Sequence, residues 1–174
     1  MARLTKKDWL EEGFKILGEF AQNKLKILYL CERLGVTRGS FYHHFSSIDN
    51  YIAELMQAWE EENTLGFIKE ASKGDSPEEK MERLNLQVVQ IKQALETSIR
   101  SWSFYHPVVR EHLERVDKIR LSFLQGIFEE MGNDKKKSLN LAKLEYAILI
   151  GLQQLFPDIS RKEMEKIYEV YFEG

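Results

Sequence analysis

The chain has 174 residues, with 25 Lys+Arg, 28 Asp+Glu and a formal net charge of −3, a length that fits one domain or two small ones sharing an interface. Hydrophobic content of 43% with 30% charged residues excludes collagen-like, mucin-like and broadly disordered chains, and a single Cys excludes an internal disulfide framework or a multi-cysteine zinc site. No apolar run approaches a membrane span and the start MARLTKKDWL has no apolar export segment, so the chain is expected to be cytoplasmic, with no membrane contact.

Charge is uneven along the chain. Residues 1 to 50 hold eight Lys/Arg against six Asp/Glu, and residues 51 to 174 hold seventeen against twenty-two. A locally basic end on an acidic protein is compatible with a polyanion contact but does not decide one.

Four capping boxes punctuate the sequence: Thr5 to Asp8, Ser46 to Asp49, Ser76 to Glu79 with Pro77 at the first turn, and Ser160 to Glu163. Nothing shows sustained alternation of apolar and polar residues between hairpin turns, so the fold class is all-α, with about nine helices. The first helix spans about 5–21, with Trp9, Leu10, Phe14, Ile16, Leu17 and Phe20 mostly on one side. A second runs from about 26 to Leu34, with Ile27, Leu30, Cys31 and Leu34 inward, and Gly35 supplies a positive φ for a sharp turn. Thr37 then caps a third helix to about Phe45, which buries Phe41 and Phe45 and leaves Arg38, Gly39, Ser40, Tyr42, His43 and His44 outward or sideways.

Longer helices follow at about 47–71, 77–96, a short one through Ile99, Trp102 and Tyr105, and 107–131. The stretch 139–156 is apolar around nearly its whole circumference, which requires burial on every side. With a final amphipathic helix, one face can serve the chain's own core and the other a second subunit, giving a homodimer interface of Leu144, Ile148, Gly151, Leu152, Leu155, Ile167 and Tyr171. A central core helix in a monomer is the competing reading.

Two short helices joined at a glycine, the second exposing small and basic groups at its start, have the design of a helix-turn-helix. Gly39 and Ser40 beside Arg38 let the backbone approach base edges, and the Thr37 hydroxyl with the first-turn N–H groups can meet a phosphate. The run from Leu30 through Leu34-Gly35-Val36-Thr37-Arg38-Gly39-Ser40-Phe41-Tyr42-His43-His44 to Phe45 is very similar to the helix-turn-helix signature of the tetracycline-repressor (TetR) type bacterial transcription regulators. The remainder resembles that family's variable regulatory domain in length and helix order. The resemblance implies a DNA-binding domain at 1–46 and a helical regulatory and dimerisation domain at 47–174. It further implies a homodimer with two recognition helices in successive major grooves of a palindromic operator, and a core that often takes a small effector. By the same resemblance Thr37 and Tyr42 touch phosphates, Arg38, Ser40 and His43 face bases or backbone, Gly39 permits close approach and His44 packs near the backbone. Ser46 and Ile48 stand where members often carry Lys, and Lys26 where a Thr commonly meets phosphate, with Lys24 and Lys26 as replacements.

Metal binding at His43 and His44 is set aside, because helical neighbours point about 100° apart and no third ligand follows at the next turn. His106 and His112 are read as capping or packing residues, and Lys135 to Lys137 as a solvated loop entering a helix, with a secondary polyanion contact as the alternative. No phosphate-binding glycine loop, nucleophile elbow or zinc-protease motif occurs and the carboxylates are expected on exposed faces, so neither enzyme activity nor a cofactor is expected. Trp59, Phe67, Trp102, Tyr105, Phe123 and Tyr146 are candidates for an apolar effector pocket, with ordinary core as the competing reading. The leading function is a transcriptional repressor released by a small hydrophobic ligand. The alternatives are a DNA-binding dimer whose C-terminal domain docks a protein and takes no small molecule, and a helical protein with a vestigial helix-turn-helix.

Overall fold

A computed structural model describes residues 4–88 and 93–157, together with 159, 160, 162–164, 166, 167 and 170. The described residues are helical or irregular, with no strand among them. The elements in order are α1 (Lys6–Phe20), a 3₁₀ turn (Ala21–Lys24), α2 (Ile27–Leu34), α3 (Arg38–His44), α4 (Ile48–Glu60), a π-helical turn (Glu61–Leu65), α5 (Gly66–Ala71), α6 (Pro77–Val88), α7 (Gln93–Ser103), α8 (Pro107–Glu130) and α9 (Lys135–Leu155). None of these helices is long and apolar enough to cross a membrane.

Local chemistry explains most boundaries. The Thr5 hydroxyl accepts from the Asp8 backbone N–H while Asp8 accepts from the Thr5 N–H at 2.6 Å, a complete capping box that holds the Asp8 carboxyl below its ordinary range. The box expected at Ser46 is shifted by one residue. Ser47 caps α4 by accepting from the Asn50 N–H at 3.0 Å, and the Asn50 side chain accepts from the Ser46 N–H. Three other expectations change. The helix over 47–71 is interrupted by the π-helical turn. Leu95 and Glu96 belong to the helix of Ile99 and Trp102 rather than ending the one before it. Lys135 to Lys137 form the first turn of α9 instead of a loop, because Asp134 caps that turn through the N–H groups of Lys136 and Lys137.

Two compact units share the chain: Met1–Phe67 with Ala94–Ile119, and Ile68–Gln93 with Arg120–Gly174. The first unit is closed by Trp9, Ile16 and Leu17 of α1, Leu30 and Cys31 of α2, Phe41 of α3, Tyr51, Leu55 and Trp59 of α4, and Ile99, Val109 and Val116 of α7 and α8. Cys31 is core, as its size and place predict, and burial pushes its thiol pKa up. Gly13 of α1 is a point of close approach, since a Cβ there would collide with the Tyr51 hydroxyl, which donates to the Trp9 carbonyl at 2.8 Å. In the second unit Met81 of α6, Leu124, Ile127 and Phe128 of α8, and Ala142 and Tyr146 of α9 pack together.

Against expectation, four carboxylates are buried among the described residues: Glu12, Glu60, Glu96 and Glu145. Glu12 accepts from Arg33, Glu60 from Arg115 and Glu96 from the Trp59 indole N–H. The Glu145 Oε2 accepts no hydrogen bond among the described residues, and burial raises that carboxyl pKa to about 7.

Candidate nucleic-acid interface

The joint between α2 and α3 is built as a glycine turn requires. Gly35 has φ +65°, and the N–H groups of Gly35 and Val36 donate to the carbonyls of Glu32 at 3.2 Å and Cys31 at 2.9 Å, closing the end of α2. No heavy atom would meet a Cβ at Gly35, so the glycine answers to the dihedral and not to space.

An aromatic cluster seats α3. Phe41 and Phe45 are buried, with Phe41 edge-on to Trp9 at 5.4 Å between centroids and Phe45 edge-on to Tyr51 at 4.9 Å. Both ends of the seat are tied, because Lys6 of α1 pairs with Glu54 of α4 at 2.8 Å and lies over the Phe45 ring. α2 is fixed to α1 by Arg33, whose Nε donates to Glu12 Oε1 at 2.7 Å while Nη1 and Nη2 donate to the two Glu19 oxygens at 2.7 and 3.2 Å. This clamp was not foreseen in the sequence. Its signal was present, since Glu12 and Glu19 lie seven residues apart on one face of α1.

With Phe41 and Phe45 turned inward, α3 shows Arg38, Gly39, Tyr42 and His43 to solvent, with Ser40 half-buried. Tyr42 is 56% exposed, unusual for a ring of its size, and its ring meets the edge of Phe41. His44 is half-buried and leans on Trp9 at 6.4 Å between ring centroids. Thr37 stands at the N-cap position with an extended backbone, but its hydroxyl makes no capping bond, which corrects the expectation that it caps the helix. Thr37 is exposed, and its hydroxyl leaves the first-turn N–H groups uncapped. At Gly39 a Cβ would meet only the Thr37 hydroxyl, at an ordinary 3.7 Å. The chain's own packing would accept alanine there, and glycine inside a helix costs about 1 kcal/mol relative to it. What Gly39 leaves is room outside the protein.

Lys26 is exposed at the N-cap of α2 and makes no capping bond, whereas Lys24 lies over the Tyr29 ring at 5.5 Å. Ser46 is exposed, and Ile48 is half-buried against the first unit's core, so a lysine at 48 would lose that packing. The described residues hold no group of three side chains fit to bind a metal.

The six aromatic pocket candidates divide between the units. Trp59 and Trp102 are core of the first unit, Phe67 is half-buried, Phe123 packs at the edge of the second unit's core and Tyr146 lies within it. Tyr105 is 81% exposed beyond the end of α7 and walls no enclosed cavity, a correction to its expected place. A cleft of about 680 Å³ lies instead at the end of α9, among Leu155, Phe156, Pro157, Ile159 and Ile167, and none of the six lines it. Of the candidate interface residues, Leu144 and Leu155 are exposed, Ile148 and Gly151 half-buried, and Ile167 38% exposed. Leu152 is covered within the chain itself and is corrected to core, while Tyr171 lies outside the described residues.

No family model matches the sequence, and no curated protein sequence matches it. Solved structures do. A TetR transcriptional regulator from Legionella pneumophila superposes with a TM-score of 0.77 at 16% identity, over 88% of this chain and 87% of that one. The chain has the TetR fold. A transcriptional regulator from Rhodococcus sp. Rha1 gives 0.79 at 16% identity over 94% and 91%. A protein from Saccharomonospora viridis, solved in complex with choline, gives 0.72 at 13% over 97% and 95%. Those coverages extend the likeness from the sixteen-residue signature to nearly the whole chain.

Proposed function

We propose that this chain is a sequence-specific DNA-binding transcriptional regulator, acting as a homodimer on a palindromic operator. The observation that carries the reading is α3. Two buried phenylalanines fix its inner face on an aromatic cluster, while its outer face carries Arg38, a glycine its own packing does not need, Tyr42 and His43. Arg38, Ser40 and His43 are positioned to read base edges or backbone, Thr37, Tyr42 and Lys26 to hold phosphates, and His44 to support the helix from behind. The fold shared with transcriptional regulators supports the same assignment.

Dimerisation is supported by α9, where Leu144, Ile148, Gly151 and Leu155 recur at spacings of four, three and four and remain wholly or partly uncovered. The DNA-binding segment is 1–46 and the remainder regulatory in this reading. Repression is released by a small ligand that binds better to a dimer whose two recognition helices are mis-spaced, shifting the population by that difference in affinity alone. The choline complex of a protein with the same fold supports a small-molecule effector. An apolar effector is supported by the cleft at the end of α9, lined by Leu155, Phe156, Pro157, Ile159 and Ile167.

Selection of genomic fragments by the pure protein, followed by sequencing, tests the reading. The expected result is one palindromic site whose affinity falls steeply between two salt concentrations, and Arg38→Ala is expected to weaken it by about 1–3 kcal/mol without lowering the melting temperature. Equal binding of all fragments, or an unchanged affinity in Arg38→Ala, would remove α3 as the reading element.

A further inference from the structure

Beyond α9 the chain reverses, and the cleft of about 680 Å³ lies at the reversal. The Phe156 N–H closes α9 on the Leu152 carbonyl at 3.0 Å, and after Pro157 the Ile159 N–H donates to the Phe156 carbonyl, also at 3.0 Å. Ser160 then opens a helical turn with a complete capping box. Its N–H and hydroxyl donate to Glu163 Oε2 at 3.0 and 2.7 Å, and its Oγ accepts from the Glu163 N–H at 3.3 Å. Met164 is buried and seats that turn. All the lining residues belong to the second unit.

The lining combines apolar surface with two charges. Leu155, Phe156, Ile159 and Ile167 supply the apolar part, and the exposure of Leu155 and Phe156 shows that the chain does not cover it from within. Glu163 and Lys166, one turn apart, supply the charges, and they are not equivalent. Glu163 commits Oε2 to Ser160, and these two bonds, with the field of Lys166 adding to them, hold its carboxyl below the ordinary range. Lys166 is exposed and makes no ion pair among the described residues, so its ammonium keeps its donors open. The carbonyls of Leu152 and Phe156 already accept backbone bonds. What the cleft has to offer an occupant is therefore apolar surface and a cationic donor.

An occupant that answers both has an apolar body and an anionic head. Glu163, one turn from Lys166, limits that head to a single charge, because a second negative charge would be repelled by its carboxylate. A cationic head meets Lys166 as a like charge. The volume lies within the range of about 300–1,000 Å³ that small-molecule sites occupy. We propose that the cleft takes an apolar monocarboxylate, with its chain against Leu155, Phe156, Ile159 and Ile167 and its carboxylate on the Lys166 ammonium. This rests on the effector reading above and names the chemical class of the effector. Because Leu155 also ends the uncovered stripe of α9, a ligand seated here adjoins the face proposed for dimerisation.

Calorimetric titration of the full chain with decanoate, decanol and decyltrimethylammonium, in wild type, Lys166→Met and Phe156→Ala, tests it. The three probes share one chain and differ in the charge of the head. Wild type should bind decanoate about threefold to fivefold more tightly than decanol, the scale of one exposed charge pair, and decyltrimethylammonium more weakly than either. Lys166→Met should bring decanoate down to the affinity of decanol and leave decanol unchanged. Phe156→Ala should weaken both by about tenfold and keep their ratio, through lost apolar contact alone. Both side chains are exposed, so neither substitution should lower the melting temperature. Equal binding of decanoate and decanol by wild type, or a preference that survives Lys166→Met, would overturn the carboxylate assignment and leave an apolar effector cleft standing. Failure of all three probes to bind, or binding that ignores Phe156→Ala, would overturn the cleft as the effector site itself. Decyl phosphate that binds as tightly as decanoate would overturn the limit to a single charge.

Discussion

Glu145 provides a test of the second unit that does not depend on DNA. Its carboxyl lies on the buried face of α9 at 5% exposure, its Oε2 accepts no hydrogen bond among the described residues, and burial raises its pKa from 4.5 to about 7. Below about pH 4.5 the group is protonated in folded and unfolded chains alike and costs nothing. As pH rises, the unfolded chain ionises first, so stability is lost until the folded carboxyl ionises too, near pH 7. The difference in pKa corresponds to about 3 kcal/mol above that point, of which about 2.5 kcal/mol falls between pH 5 and pH 8. Glu145→Gln keeps the shape and removes the ionisation. Its amide also brings a buried donor whose cost, about 1–3 kcal/mol, does not vary with pH. The expected result from urea unfolding at pH 5, 6, 7 and 8 is therefore a crossing: the wild type is equal or more stable at pH 5, and the variant gains on it by about 2–3 kcal/mol by pH 8. Parallel stability profiles would refute the reasoning, because they would show that the folded chain ionises Glu145 as readily as water does.

Other substitutions test other joints. Gly13→Ala should destabilise the first unit by about 2–4 kcal/mol in chemical unfolding, because the new methyl displaces the Tyr51 hydroxyl from the Trp9 carbonyl in a core with no room to yield. Gly35→Ala meets no steric obstacle and carries only the strain of a positive φ, so a loss of about 1–2 kcal/mol is expected, with DNA affinity retained in what remains folded. Leu155→Glu should leave a folded monomer in light scattering, since Leu155 is 73% exposed in the single chain, whereas Leu152→Glu should unfold the protein because Leu152 is already covered.

Helix identity was legible because it depends on local signals. Thr5 and Asp8 form the capping box they spell, Gly35 adopts the αL conformation, and Phe41 with Phe45 turns α3 outward. Register one residue at a time was not. Ser46 and Ser47 offer the same hydroxyl, and the choice of Ser47 depends on Asn50 reaching back to the Ser46 N–H, a contact worth no more than its competitor in the sequence. The π-helical turn after Glu60 has no signature in residues 61–65 either. Which face of α3 turns outward followed from a contiguous motif. Where an effector would bind depends on side chains from several helices, and Tyr105, counted among them for its ring, stands in solvent.

The buried carboxylates show why the candidate site was read more completely than its supports. A glutamate among lysines on an amphipathic helix has the same sequence neighbourhood whether it is solvated or clamped, and only the partner decides. Arg33 decides for Glu12, Trp59 for Glu96, Arg115 and His112 for Glu60. All three contacts lie in the first unit, and each joins two helices. A buried acid left without its donor costs several kcal/mol, so each of these contacts fixes the relative placement of its two helices more sharply than apolar packing of equal area would. The Glu12 clamp fixes α2 to α1, the Glu96 bond fixes α7 to α4, and the Glu60 cluster fixes α8 to α4. The seat of α3 depends on α1 and α4 through Trp9 and Tyr51. A ligand that alters any of these three contacts therefore acts on the elements that seat α3, even though none of the three touches it.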